Sequence, residues 1–224
     1  MEFKKLNQKG FTLVEMAIVL VIIGLLLGGV LKGQEMIANS RVKKAIGDMN
    51  ATSVAYNSYV DRYKRLPGDD GPFATLTARG GSWATLPAGY FGNINGVIDA
   101  LPANTFLGTG EGGVFWNQVK AAGFLTGNHA DVAPNNMPIN AFQGRVGIVS
   151  NTTALTGLPN GYSVCLSQVP GKAAAQIDTE IDDGNPTSGS VRGTLGAAGV
   201  NTVPGAAAAA PYNEDQVYTV CKSL

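Results

Sequence analysis

The chain has 224 residues and formal net charge zero, with only 14% charged side chains, which excludes nucleic-acid binding driven by bulk charge. That length allows one large domain or two small ones. Aromatic and branched residues recur as far as Val220, so the composition is not that of a disordered chain. The C-terminal two-thirds is rich in Gly, Ala, Thr and Asn and reads as a loop-rich, strand-containing part.

Residues Met1 to Gly10 form a short leader carrying Lys4, Lys5 and Lys9. The positive-inside rule keeps this end cytoplasmic. Lys32, Arg41, Lys43 and Lys44 on the far side weaken that charge signal. Phe11 to Leu31 is an apolar run of 21 residues. At about 1.5 Å per residue it makes roughly 31 Å of helix, enough to cross the hydrocarbon core of a bilayer. Glu15 is the single charge in the run. A carboxylate in that setting costs free energy unless something pairs with it. A secretory signal would end in a small-x-small cleavage site. After Leu31, Lys32 interrupts Gly28, Gly29 and Gly33, so no such site follows in good order. The plainer alternative is a signal anchor in which Glu15 snorkels or protonates.

Lys9-Gly10-Phe11-Thr12-Leu13-Val14-Glu15 resembles the cleavage and methylation site of type IV prepilins and type II secretion pseudopilins. The resemblance is strong over residues 1 to about 35 and loose beyond. It implies that a prepilin peptidase cuts between Gly10 and Phe11 and methylates the new Phe11 amine. It implies a single-pass precursor in the inner membrane, its leader cytoplasmic and its head periplasmic. Assembly machinery would then draw the helix into an extracellular pilus or a periplasmic pseudopilus. The expected partners are other copies or related pilins, the peptidase and that machinery, with no cofactor. In the family the glutamate pairs with the terminal amine of a neighbouring subunit, which makes Glu15 the assembly residue. Pairing removes much of the cost of a buried carboxylate and sets axial register, as buried polar groups do in coiled coils.

No proline interrupts the chain from Phe11 to Pro67, so a helix over 11–65 is expected, with 11–31 transmembrane. It would extend roughly 80 Å, longer than a compact domain needs. Gly24 and Gly28, and Gly29 and Gly33, stand four apart. That spacing reads equally as close helix approach or as a flexible stretch. Many type IV pilins have a helix-kinking proline just past the membrane run. None is present near Lys32, so any bending falls to Gly28, Gly29 and Gly33. From Ile46 a stripe appears at Ile46, Met49, Ser53, Tyr56, Val60 and Tyr63, the spacing of one buried helix face.

Leu66 to Pro72 ends the helix, with Asp69 and Asp70 as turn residues. Residues 66–224 are expected to form a globular head packed on helix 43–65. Residues 73–110 read as loops with short helices near Phe73–Thr77 and Ile98–Leu101. Asn93 to Asp99 faintly resembles a calcium loop but lacks its aspartate spacing and terminal glutamate. Gly113 to Leu125 reads as a helix with Phe115 and Trp116 in the core and Gly123 as its stop. Arg145–Ser150, Gly161–Val169, Ser190–Leu195 and Tyr218–Lys222 read as strands, and Lys172–Ile181 as a helix begun by Pro170. Gly196 to Ala210 is a Gly/Ala-rich loop. Asp178, Asp182, Asp183 and Asn185 form an acidic group. A helix-end turn explains it; calcium, which some pseudopilins hold in a C-terminal loop, is the other reading, and no metal site is assigned.

The two cysteines are Cys165 and Cys221. If the head is exported they pair, removing roughly 4 kcal/mol of unfolded-chain entropy in the simple loop model; otherwise they are two buried thiols. In the pilin family a disulfide closes a C-terminal loop beside the sheet, and the spacing is compatible with that. The fold class expected is therefore α+β and pilin-like: a long N-terminal helix, half apolar and half packed on an antiparallel sheet, with a C-terminal disulfide-closed loop.

The chain holds one histidine, His129, and none of the common catalytic motifs, so an enzyme is not expected. The leading function is a pilin-like structural subunit. The alternatives are a minor pseudopilin of a type II secretion system, or a tip-located minor pilin binding DNA or surfaces. No basic aromatic patch is visible, so no nucleic acid is expected as a partner. The 214 residues left of 224 after a 10-residue leader favour a pilus over the smaller major pseudopilin.

Overall fold

The computed structural model describes residues 12–151, 155, 158–208 and 210–224. Contacts divide the chain into two units at Ser40/Arg41. Helix α1, Leu13–Tyr63, runs through the division.

In the first unit no side chain of 13–31 is buried, and its large apolar residues stand open, among them Leu13, Leu20, Leu25 and Leu31. A face that is apolar all round and buried nowhere belongs to a membrane or to other copies of itself.

The second unit comprises residues 41–224. Its part of α1 ends where Lys64 takes a φ of 52°, with Pro67 three residues on to prevent continuation. Next come α2 (Phe73–Thr77) and 3₁₀ turns at Gly81–Thr85 and Pro102–Asn104. Phe73–Thr77 is helical as expected. Ile98–Leu101 is not: Ile98 goes into the core and a 3₁₀ turn starts at Pro102 instead.

Helix α3, Gly110–Ala121, starts three residues before the expected Gly113. Gly113 near its start marks a close backbone approach rather than a loop. A Cβ on Gly113 would lie 2.1 Å from the Gly108 carbonyl. The helix stops at Gly123, with φ +79°. Phe124 N–H donates to the Val119 carbonyl and Gly123 N–H to the Lys120 carbonyl, both at 3.0 Å, the paired bonds of a Schellman motif.

Then follow β1 (Val146–Ser150), β2 (Tyr162–Pro170), α4 (Gly171–Ile181), β3 (Val191–Gly196) and β4 (Val217–Ser223). All four strands stand within two residues of their expected bounds. They form one antiparallel sheet in the order β1-β2-β4-β3.

Strand alternation sorts the sheet into two faces. Val146, Ile148, Val164, Leu166 and Val220 join the main core with Phe115, Trp116 and Val119 of α3 and Ala174 and Ile177 of α4. Val149, Cys165 and Cys221 face the other way, with Phe106 and Leu155. Phe115 and Trp116 are core residues as expected.

The buried face of α1 is centred on Val42, Ala45, Met49, Thr52, Ala55 and Tyr59. Of the expected stripe, Met49 alone is fully buried, while Ile46, Ser53, Tyr56, Val60 and Tyr63 are half-buried flanks. The correction has a packing reason. Ala45, Thr52 and Ala55 are small and fully buried, Ala45 and Ala55 in the core shared with the sheet and α3, and the bulkier side chains border them.

Candidate functional site

The one helix among the described residues that is long and apolar enough to cross a membrane is α1, and the candidate site is its first turn. Thr12 precedes the helix and acts as its N-cap; Glu15 is its third residue. Glu15 N–H donates to Thr12 Oγ1 at 3.2 Å. In return Glu15 Oε2 accepts from Thr12 N–H at 2.8 Å and from Thr12 Oγ1–H at 2.7 Å. This is a reciprocal capping box, which satisfies backbone donors a helix start leaves open. It also places a negative charge at the positive end of the helix dipole.

Glu15 therefore has a partner within the chain, one that the sequence reading missed. The T-x-x-E spacing was the available signal. The partner supplies hydrogen bonds but no positive charge, and both Thr12 donors fall on one carboxylate oxygen. Gly10 and Phe11, the expected cleavage and methylation positions, and the leader before them lie outside the described residues.

Along the run, a Cβ on Gly24, Gly28, Gly29 or Gly33 would meet nothing within 4 Å. Packing within the chain does not require glycine at these places. Lys32 closes the run with an ion pair to Glu35 at 2.8 Å on the helix surface.

Residues 5–31 match the family model described as the prokaryotic N-terminal methylation motif. It is the signature of type IV prepilins and pseudopilins. No curated protein matches the chain. The methylation motif ends at Leu31, where the uninterrupted apolar run ends, and it contains the whole Thr12–Glu15 capping box.

The structure also carries the pilin-like disulfide. Cys165 and Cys221 are bonded to each other and are directly paired residues of β2 and β4. The bond encloses α4, β3 and the long loop after it, tying the last strand to the centre of the sheet.

The other candidates of the head resolve into structural roles. Asp178 is fully buried; it accepts from the Tyr212 hydroxyl at 2.7 Å and from Gly184 N–H at 3.1 Å. Asp182 accepts from the backbone N–H groups of Ser190 and Val191. Asp183 accepts from Asn185 N–H and the Ser188 hydroxyl. One oxygen from each of these three aspartates lies within 4.8 Å of the others, but the turn after α4 uses all three carboxylates as acceptors, and the turn reading accounts for the group.

Asp69 and Asp70, expected as turn residues, are buried. Asp69 accepts from the backbone N–H groups of Asn95 and Gly96. Glu111 accepts from those of Asn93 and Asp99. Loop 93–99 thus wraps two carboxylates of the head. No short-range pattern marks them, because their donors lie 12 to 27 residues away. His129 meets Thr85 Oγ1 at 2.7 Å through its Nε2.

Burial pushes the Asp178 carboxyl above its ordinary range; the Tyr212 and Gly184 bonds pull it down, and the neighbouring Asp183 and Asp182 add to the rise. Burial likewise raises Glu111, opposed by its two backbone bonds. A carboxyl raised in the folded state gives stability that is complete below its unfolded value and is lost as pH rises through the folded value. As pH rises above the ordinary carboxylate range of about 4, therefore, the stability of Asp178→Asn is expected to improve relative to the unaltered protein. Denaturation midpoints of both proteins across that rise check this, and a constant difference would remove the role given to Asp178.

Proposed function

We propose that this chain is a structural, non-catalytic subunit of a type IV pilus. It is made as a single-pass inner-membrane precursor with its head in the periplasm, cut between Gly10 and Phe11, methylated at the Phe11 amine, and polymerised through α1. The observation that carries the reading is the first turn of α1: one carboxylate, capped but not charge-neutralised, at the head of an apolar helix that the rest of the chain leaves uncovered.

Cleavage creates a cation next to Thr12. The Glu15 carboxylate is held close to the helix start, and its Oε1 is turned to no Thr12 donor. The amine of an adjacent subunit supplies the charge that the capping box lacks. Lipid tails are as apolar as leucine, so helix association gains little from hydrophobicity. Close packing at Gly24, Gly28, Gly29 and Gly33, together with the Glu15 pair, then sets contact and register. The Cys165–Cys221 disulfide favours a pilus subunit over the major pseudopilin of a secretion system.

Intact-mass analysis of the protein from its own cells tests the processing. The expected species starts at Phe11 and carries one methyl group on its amine. A chain that keeps residues 1–10, or an unmodified Phe11, would count against the proposal.

A further inference from the structure

The chain holds two Asn-Gly pairs, Asn95-Gly96 and Asn160-Gly161. Glycine after asparagine has no Cβ, so its peptide nitrogen stays open to the asparagine's own side-chain amide. The fold surrounds the two pairs differently. Asn95 Oδ1 accepts from Val97 N–H at 2.8 Å, the two-residues-on bond of an Asx turn. That bond bends the side-chain amide back over the intervening Asn95–Gly96 peptide. Gly96 N–H meanwhile donates to Asp69 Oδ2 at 2.9 Å, and Asp69 is buried. Asn95 Nδ2 donates to Asp99 Oδ2 at 3.2 Å. Asn95 and Gly96 are themselves exposed. A pocket of about 160 Å³, bordered by Lys64, Arg65 and Asp69, reaches Gly96 and admits water. At the second pair the described residues place no carboxylate on Gly161 N–H; the Gly161 carbonyl instead accepts from Asn151 N–H at 2.9 Å. Around Asn95 the fold thus assembles a nitrogen with a base on its proton and a carbonyl with a donor on its oxygen. Those are the parts of an acyl-transfer site.

We propose that Asn95 is a self-modifying residue, which the head converts to aspartate or isoaspartate through a cyclic imide. The Gly96 nitrogen bonds to Asn95 Cγ as its proton passes to Asp69. Val97 N–H holds the oxygen on which negative charge gathers. The Cγ–Nδ2 bond then breaks, and Nδ2 leaves as ammonia with a proton returned from Asp69 through water. A second water opens the imide at either carbonyl. The net change is an amide NH2 for a hydroxyl, with nothing oxidised or reduced. The product puts a carboxylate opposite Asp99, where Asn95 now donates a hydrogen bond. Repulsion there loosens the loop that wraps Asp69 and Glu111, so the head carries an irreversible mark of its age. None of this depends on filament assembly.

The test holds full-length protein in detergent micelles near neutral pH, folded or unfolded in urea, and digests it at intervals. Mass spectrometry follows the amide-to-acid change at Asn95 and Asn160, and fragmentation separates aspartate from isoaspartate. In the folded protein Asn95 is expected to convert at least about tenfold faster than Asn160, well within what a positioned base supplies. In urea, with the base no longer held in place, the two should convert at similar rates. Asp69→Asn removes the base while keeping the side-chain shape. It should bring Asn95 down to the Asn160 rate while the head stays protease-resistant. If that variant fails to fold, the folded-against-urea comparison of the unaltered protein still decides. Equal rates in the folded state, slower conversion at Asn95, or the same ratio in urea overturns the proposal and leaves Asn95 a turn residue only.

Discussion

Glu15→Gln is expected to enter the membrane and be processed normally, yet to form filaments at a level lower by about two orders of magnitude, because a buried cation loses its partner. Glutamine serves at the third position of a capping box, so this variant keeps the hydrogen bonds to Thr12 and removes only the charge. Glu15→Ala removes both. If the charge is what assembly needs, the two variants fail alike. If the cap is what matters, glutamine is close to normal and alanine is not. Thr12→Ala completes the set: it keeps the carboxylate and loses the cap, a change of about 1 kcal/mol in typical helices, and should reduce assembly by less than about tenfold. Filament yield against membrane-inserted protein, measured for all three, separates the roles. Normal filaments from Glu15→Gln would end the case for a charge pair.

The second large effect is expected in the head. Asp70→Ala should destabilise it by about 3–5 kcal/mol, the usual cost of removing one partner of a buried ion pair. Asp70 Oδ2 accepts from the Tyr59 hydroxyl at 2.7 Å and pairs with Arg79 Nη2 at 2.8 Å. Burial, and then the Asp70 charge, hold the Tyr59 phenol protonated, so it remains a donor. Arg79 also lies over the Tyr63 ring at 4.4 Å and the Trp83 ring at 4.6 Å. Gln118 closes the junction, donating to the Asp70 carbonyl at 2.9 Å and accepting from Gly68 N–H at 2.6 Å. Without the carboxylate, Arg79 and Tyr59 lose their short acceptor and keep only the 3.4 Å contacts from Arg79 Nη1 to the Tyr59 hydroxyl and from that hydroxyl to Gln118 Oε1. Arg79→Met leaves Asp70 its bond from Tyr59 and keeps an apolar body between the two rings. Its expected loss is at least as large, because the carboxylate left without a cation is the more deeply buried partner of the pair. Urea midpoints read from the fluorescence of Trp83, which stands at the junction, measure both. An Asp70→Ala midpoint within experimental error of the unaltered protein would show that the junction does not hold the end of α1 to the head.

The N-terminal third was legible because its determinants are contiguous. A membrane is a uniform solvent, so the length and polarity of Phe11–Leu31 decide what that segment can do, and no distant contact needs to be known. The processing motif is a short run of neighbouring residues, and the capping box between Thr12 and Glu15 is three residues wide. Strand positions were legible for a related reason: alternation is local, and the four strands fell close to their expected bounds. The fold class follows from that order of helix and strands.

Only the tertiary structure decided which face of α1 is buried. Periodicity shows that a stripe exists. Where its centre falls depends on which side chains are small enough to let the sheet approach, and Ala45, Thr52 and Ala55 carry no weight in a reading based on bulk. The same holds for Asp69, Asp70 and Glu111, which look like turn or surface residues until loop 93–99, Arg79 and Tyr59 fold around them. It holds too for the cysteines. The chain offers two thiols, and whether they meet depends on the register that sets Cys165 opposite Cys221 across β2 and β4. Local patterns determined the apolar N-terminal segment, and contacts between residues far apart in the chain determined the head, because each close packing or buried charge there needs a partner from another element.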